Sequence, residues 1–326
     1  SDKMDIRPVA LPRNPQGLPR EAVIGALRLQ LADSLSMPAD QAVFDYFTID
    51  DAPEAREITV MSTVADRKWI SQRIDMVRTA GFSCVGVDAL PCVLGRLSVD
   101  QGDSDSELQS NRGHQKAECQ DQEEAADEHG DGGTMRALLD MGYSGSTLVV
   151  MKGSVPVFSR RFGLGGREMS TLLAKRLGVS AAKADALKMA YGLKCIDAGR
   201  GSVSIRSDQA EWTRGETPAE QGSEISRMIL DALELNLSEY LLGLTRSLNY
   251  SINEHRAKEL TDITLCGAAA HTVNLDRYLT EQFGLPTRVT DHPLLQEIVE
   301  HLPPKWAQPG AWATALGLAL AEGAAA

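Results

Sequence analysis

Between Ser98 and Gly133 the chain holds only two large apolar residues, Val99 and Leu108, among a majority of Asp, Glu, Gln, Ser and Gly. Such a stretch cannot bury enough surface to offset its ordering entropy. It therefore reads as an acidic, disordered linker that divides the 326 residues into two folding parts. It also concentrates the charge. From Asp100 to Asp131 there are eleven Asp/Glu against Arg112 and Lys116, a net −9 of the chain's −12. The acidic balance argues against nucleic acid and anionic lipid as electrostatic partners. The expected layout is a first part over 5–98, the linker over 99–133 and a second part over 134–322.

No apolar run approaches the ~20 residues of a spanning helix, the longest candidate being Ala311 to Ala321. No apolar leader follows Ser1-Asp2-Lys3, which read as an appendage before Met4. The five cysteines are widely spaced and form no CxxC, so reduced thiols and a cytoplasmic setting are expected.

The first part alternates helix and strand signals. Ala22, Val23, Ala26 and Leu27 recur at helical spacing behind Pro19, and strands are expected over 42–49 and 57–62. A helix over 66–80 carries Trp69, Ile70, Ile74 and Val77 on one stripe; a strand over 83–87 and a short helix near 93–97 follow. The order αββαβ describes a small α/β unit.

The second part opens on three strands, 136–141, 146–151 and 155–160, joined by tight turns as an antiparallel meander. Gly165-Gly166 opens a helix with Met169, Leu172, Leu173 and Leu177 on its apolar side, and Ser180 caps another to Met189. A polar loop is expected over 196–222, then a long helix over 223–249. A strand over 262–266, Gly267, a helix carrying His271 on its surface, a strand near 287–289 and a closing helix over 311–320 complete the chain.

Three stretches can carry chemistry. In Asp140-Met141-Gly142-Tyr143-Ser144-Gly145-Ser146-Thr147 an acidic strand end meets a turn of glycines and hydroxyls. Backbone N–H groups of such a turn can surround a phosphate, and a water-bridged Mg²⁺ would relieve its repulsion with Asp140. The same residues also suit an ordinary hairpin. Gly267-Ala268-Ala269-Ala270 lets backbone approach a planar ligand at a helix start, or merely packs helix against strand. Ala184-Asp185-Ala186-Leu187-Lys188 taken alone is an amphipathic helix with a solvated charged face. The histidines form no HExxH or HxxxH pair.

Taken in order, these pieces resemble the second half of the actin-like ATPase fold, and more narrowly the type IV pilus assembly protein PilM family, relatives of the cell-division protein FtsA. The family's DIGxxxT hairpin matches Asp140, Gly142 and Ser146, and its GGxxLT matches Gly165, Gly166, Met169 and Ser170. Its AExxK matches Ala184, Asp185 and Lys188; its LxGG turn matches Leu265 and Gly267; its closing AxGLA helix matches Ala315, Gly317, Leu318 and Ala319. The resemblance implies an α/β, actin-like (ribonuclease H-like) fold into whose first half the αββαβ subdomain is inserted. It implies a nucleotide site at Asp140, Gly142, Ser144, Ser146, Lys188, Gly267 and Ala268, with Asp140 toward Mg²⁺.

Three departures bear on that site. The family opens with a further DxGxxS phosphate hairpin that nothing before Ile6 matches, so the first phosphate-loop strands are expected to be missing. The paired glycines of the adenosine turn are Gly267-Ala268, and the acidic position of the E-I-x-R-S helix falls on Gly243 although Arg246 and Ser247 remain. ATP and Mg²⁺ are therefore expected to bind weakly or not at all, and hydrolysis is not expected. The resemblance implies a cytoplasmic scaffold of the inner-membrane pilus or secretion platform. Its partner would be the cytoplasmic tail of a PilN-like protein, with self-association as a second possibility and no membrane insertion of its own. The alternatives are an active ATPase or kinase of the same superfold, or a GspL-like cytoplasmic domain of a general secretion system.

Overall fold

The computed structural model describes residues 4–14, 17, 19–50, 55–98, 134–193, 218–303 and 306–321. The expected linker over 99–133, and the expected 196–222 loop as far as 217, lie outside the described residues. The fold divides into two compact units. One comprises the described residues within 1–125, 149–159 and 317–326, and the other those within 126–148 and 160–316.

The first unit is built on a three-stranded antiparallel sheet of order β1-β3-β2, formed by Met4–Pro12, Glu57–Asp66 and Ala42–Asp50. Side chains alternate across it. Val60 and Val64 of β3 face helix α1 (Arg20–Leu31) and bury Val23, Leu27 and Leu31 against Val9, Leu11 and Phe44. Helix α2 (Arg67–Thr79) starts on Asp66, whose carboxylate accepts the Trp69 N–H, and leaves none of its residues fully buried. A short helix α3 (Leu90–Gly95) follows, with Pro91 in its first turn.

Two expectations change here. The segment 83–87 is not a strand. Its Phe82, Val85 and Val87 flank are 70%, 71% and 55% exposed, so β-propensity finds no ladder to join. The third strand of the sheet is instead β1, whose two prolines mask it in a propensity reading.

The second sheet has the order β6-β5-β4-β7-β8. Its strands are β4 (Met135–Met141), β5 (Ser146–Lys152), β6 (Val155–Phe162), β7 (Leu260–Cys266) and β8 (Thr287–Val289). The short β4–β5 and β5–β6 turns run those neighbours antiparallel as expected, whereas β4, β7 and β8 are parallel. Ala137, Leu138 and Leu139 are all buried, the continuous apolar run of a strand covered on both faces. Helices α4 (Gly166–Leu177), α5 (Ala181–Tyr191) and α6 (Pro218–Glu254) belong to the second unit, with Ser180 accepting the Lys183 N–H at the start of α5 as expected. Helix α6 buries Ile229, Leu233, Leu237, Tyr240, Leu244 and Leu248 along one stripe. Helices α7 (Leu275–Phe283), α8 (Pro293–Glu300) and α9 (Ala313–Ala319) follow, and α8 was not expected from the sequence.

Candidate functional site

The parallel register Leu139↔Leu265 and Asp140↔Cys266 brings the C-terminal ends of β4 and β7 side by side. In parallel α/β sheets this is the end where ligands bind. It joins the Asp140–Ser146 hairpin to the Gly267 turn, residues more than a hundred apart in sequence. Gly267 has φ +87, and a Cβ there would lie 2.4 Å from Asp140 Oδ1 and 2.5 Å from the Met141 carbonyl oxygen. Only glycine permits that approach. The turn is held by its N–H donating to the Gly310 carbonyl at 2.7 Å. The Gly310 N–H in turn donates to His271 Nε2 at 3.0 Å. His271 is therefore a half-buried acceptor, not the surface residue expected of it, and burial holds its imidazole below the ordinary value. Ala268 begins a short 3-10 turn, Ala268–His271, where the sequence led us to expect a regular helix.

Helix α4 closes onto the hairpin. The Gly166 N–H donates to the Gly142 carbonyl at 2.9 Å and the Arg167 N–H to that of Tyr143 at 2.8 Å. Two of the free N–H groups at the helix start are thus taken by the turn itself. Gly165 makes the contact possible, since a Cβ there would lie 2.3 Å from the Gly145 nitrogen. Ser144 is exposed at the tip, beside Tyr143, over which the Arg167 guanidinium sits at 5.7 Å.

The remaining polar groups are engaged within the fold. Ser146 is buried, its hydroxyl 2.8 Å from Tyr240 Oη, and the Tyr240 hydroxyl also lies 3.0 Å from Met141 Sδ. Burial pushes the Tyr240 phenol up, and the Asp140 charge adds to it while Ser146 opposes. Lys188, 2% exposed, directs its three hydrogens to the Gly166 carbonyl at 2.9 Å, Ser170 Oγ at 2.8 Å and Asp185 Oδ1 at 2.8 Å. Burial raises the Asp185 carboxyl, but hydrogen bonds from Lys188 and Ser170 with the Lys188 charge outweigh it, leaving the pKa lowered. The A-D-x-x-K helix is thus a clamp tying α5 to the start of α4.

Asp140 is different. Burial pushes its carboxyl upward against the charge of Arg161, and it makes no hydrogen bond or ion pair among the described residues. It is the buried carboxylate of the constellation with lone pairs to spare for a water-bridged cation. No cluster of three or more His, Cys, Asp or Glu suited to a metal occurs among the described residues. Mg-ATP therefore meets a partial fit: one uncommitted carboxylate, with Ser146, Lys188 and two N–H groups of the α4 start already bonded. At the position where the sequence departs from the family's acidic residue, the Phe162 ring fills the space. A Cβ at Gly243 would lie 3.0 Å from Phe162 Cε1, and Phe162 packs edge-on against Tyr240 at 5.4 Å. Sequence reading placed Tyr240 in the helix core without its hydroxyl role. The available signal was a phenol on an otherwise aliphatic buried stripe, which needs a partner.

The first unit contains a cavity of about 250 Å³ on the β-sheet face opposite α1. Val43, Tyr46, Phe47, Ile70 and Val87 line it, together with the carboxylate residues Asp45 and Asp88. Asp88 pairs with Arg96, which also donates to the Gly317 carbonyl at 3.0 Å. The Cys92 thiol, also in the lining, is pushed up to about 11 by burial and by the charge of Asp88.

No protein-family model matches the chain. Among solved structures, a chain of the PilM–PilN type IV pilus biogenesis complex superimposes with a TM-score of 0.65 at 18% identity, covering 98% of this chain and 76% of that one. MreB5 of Spiroplasma citri bound to ADP is 14% identical with a TM-score of 0.44, covering 79% and 64%. The ethanolamine utilization protein EutJ from Carboxydothermus hydrogenoformans is 15% identical at 0.41, covering 75% and 57%. The first superposition, over nearly the whole chain, establishes that this protein has the actin-like fold expected from its motif order.

Proposed function

We propose that this protein is an actin-like scaffold of type IV pilus biogenesis that holds the cytoplasmic tail of a PilN-like inner-membrane protein. The observation that carries the reading is the superposition of 98% of the chain on a chain of the PilM–PilN complex. The state of the candidate nucleotide site supports a binding role over an enzymatic one, because its hydroxyl and ammonium are already spent on internal bonds. No helix among the described residues is long and apolar enough to cross a membrane. In this reading a membrane-tethered partner brings the protein to the platform. Residence in the cytoplasm, peripheral to the inner membrane, follows from that partner. The cavity of the first unit is the seat we assign to the tail, with apolar side chains for affinity and the exposed Asp45 carboxylate favouring a basic peptide.

The test is a fluorescence-anisotropy titration with the first fifteen or so residues of the PilN-like protein of the same genome, at two salt concentrations. Saturable binding that survives moderate salt is expected; absence of binding overturns the reading. A Mg²⁺-dependent thermal shift with sub-millimolar ATP, lost in Asp140→Ala, would favour a nucleotide-driven role instead.

A further inference from the structure

Among the described residues the three-stranded sheet has two unpaired edges, and they are not equivalent. Their hydrogen-bonding phase follows from two flanking bonds. The Arg13 N–H donates to the Arg56 carbonyl at 2.9 Å, continuing the β1–β3 ladder by one pair. In an antiparallel ladder bonded and non-bonded pairs alternate. Residues 4, 6, 8, 10 and 12 of β1 therefore point their backbone groups away from β3, and Pro8 and Pro12 stand at two of those outward positions. With no N–H to offer there, the β1 edge is blunted.

The Arg67 N–H donates to the Gln41 carbonyl at 2.9 Å, extending the β2–β3 ladder in the same way. Ala42, Phe44, Tyr46 and Thr48 then turn their N–H and C=O groups to the free edge. No proline or lysine interrupts β2, and it stays in register until a shift between Thr48 and Asp50. Among the described residues two contacts reach this edge: at its start the Arg67 guanidinium donates to the Ala42 carbonyl at 3.4 Å, and a second sits at its middle. The Tyr46 N–H is met by its neighbour's carboxylate, Asp45 Oδ1, at 2.7 Å. The same oxygen is held at 2.6 Å by Arg20 from α1, on the other face of the sheet, so the ion pair bridges across the edge. Both side chains are 62% exposed. An exposed pair of this kind shifts an equilibrium by no more than about fivefold, so it guards the edge without sealing it.

We propose that the partner tail adds to β2 as a fourth, extended strand, and that the Arg20–Asp45 pair is a latch which a basic residue of the tail displaces. The proposal rests on the scaffold reading above and names how its site recognises the partner. Val43, Asp45 and Phe47 point to the cavity face, so alternate side chains of an added strand enter the same cavity. A peptide carbonyl takes over the Tyr46 N–H from Asp45, and a peptide Arg or Lys takes over Asp45 from Arg20. Charge is conserved in the exchange, which makes Asp45 a specificity residue for the basic position.

The test uses the full chain and two fluorescein-labelled peptides: the first fifteen residues of the PilN-like protein of the same genome, and a copy with every Arg and Lys replaced by Gln. Wild type should prefer the basic peptide. Asp45→Asn should bring the ratio of the two affinities to about one, while Asp75→Asn, an exposed acid on α2, leaves it unchanged. Arg20→Ala should tighten the basic peptide by about two- to five-fold, and its binding should slow amide exchange at Phe44, Tyr46 and Thr48. Binding that leaves those amides unprotected, or an Asp45→Asn protein that keeps the wild-type ratio, overturns the strand-and-latch inference while the scaffold reading stands. Failure of both peptides to bind wild type removes the scaffold reading and this inference with it.

Discussion

Replacing Lys188 by methionine tests whether the A-D-x-x-K helix is a structural clamp. Methionine keeps most of the aliphatic stem and deletes the ammonium, so the change isolates three hydrogen bonds made by a side chain that is 2% exposed. Breaking a buried ion pair costs ~3–5 kcal/mol when the surviving charge stays buried. Asp185 is 57% exposed, so its carboxylate regains water and that figure must be discounted. The Gly166 carbonyl also keeps the Ser170 hydroxyl within reach at 2.9 Å. What remains is about one charge-assisted bond to a buried carbonyl and the loosening of Ser170, or ~2–3 kcal/mol. For a unit of this size that lowers Tm by roughly 5–10 °C. Circular dichroism melts of wild type, Lys188→Met and Asp185→Asn would measure it. Because the Asp185 carboxyl lies below its ordinary value in the fold, its contribution is present above about pH 4 and fades as pH falls through the folded value. The Lys188→Met protein should lack that acid-side loss. A Tm within 2 °C of wild type would refute the clamp, and a changed nucleotide affinity at unchanged stability would return Lys188 to ligand binding.

Ser62 is fully buried in β3 and its hydroxyl has no partner among the described residues, so Ser62→Ala should stabilise the first unit by about 1 kcal/mol in urea unfolding. Gly165→Ala should cost at least ~2 kcal/mol and expose the hairpin to proteolysis, since its methyl would meet the Gly145 nitrogen at 2.3 Å. The folded-state pKa of His271 is lowered, so the unfolded chain takes up a proton first, and stability should fall as pH drops below about 6.5. His271→Gln, which preserves an acceptor for the Gly310 N–H, should flatten that part of the Tm profile between pH 5 and 7.5.

The local elements were legible because their signals are local. Ser180 announces α5, Gly165-Gly166 announces α4, and alternating or continuous apolar runs mark β4 and β7. The motif order, read as a whole, was enough to reach the actin-like fold without any single specific motif. Where propensity and pairing parted, pairing won: 83–87 has the composition of a strand but no neighbour, while Met4–Pro12 has two prolines yet completes a sheet because both fall where no N–H is required. The same non-locality governs the site. The Asp140 hairpin and the Gly267 turn meet at the shared end of β4 and β7 through a register that no local signal carries. Whether a hydroxyl or ammonium is free depends on what lies opposite it. Ser146 meets Tyr240 from a helix ninety-four positions away, and Lys188 meets the carbonyl that opens α4. Sequence determines which groups a strand end or helix carries, because backbone period and side-chain chemistry are properties of neighbours along the chain. Tertiary structure alone decides which donors are spent and which edge stays open, because register and burial are set by residues that meet only when the chain has folded.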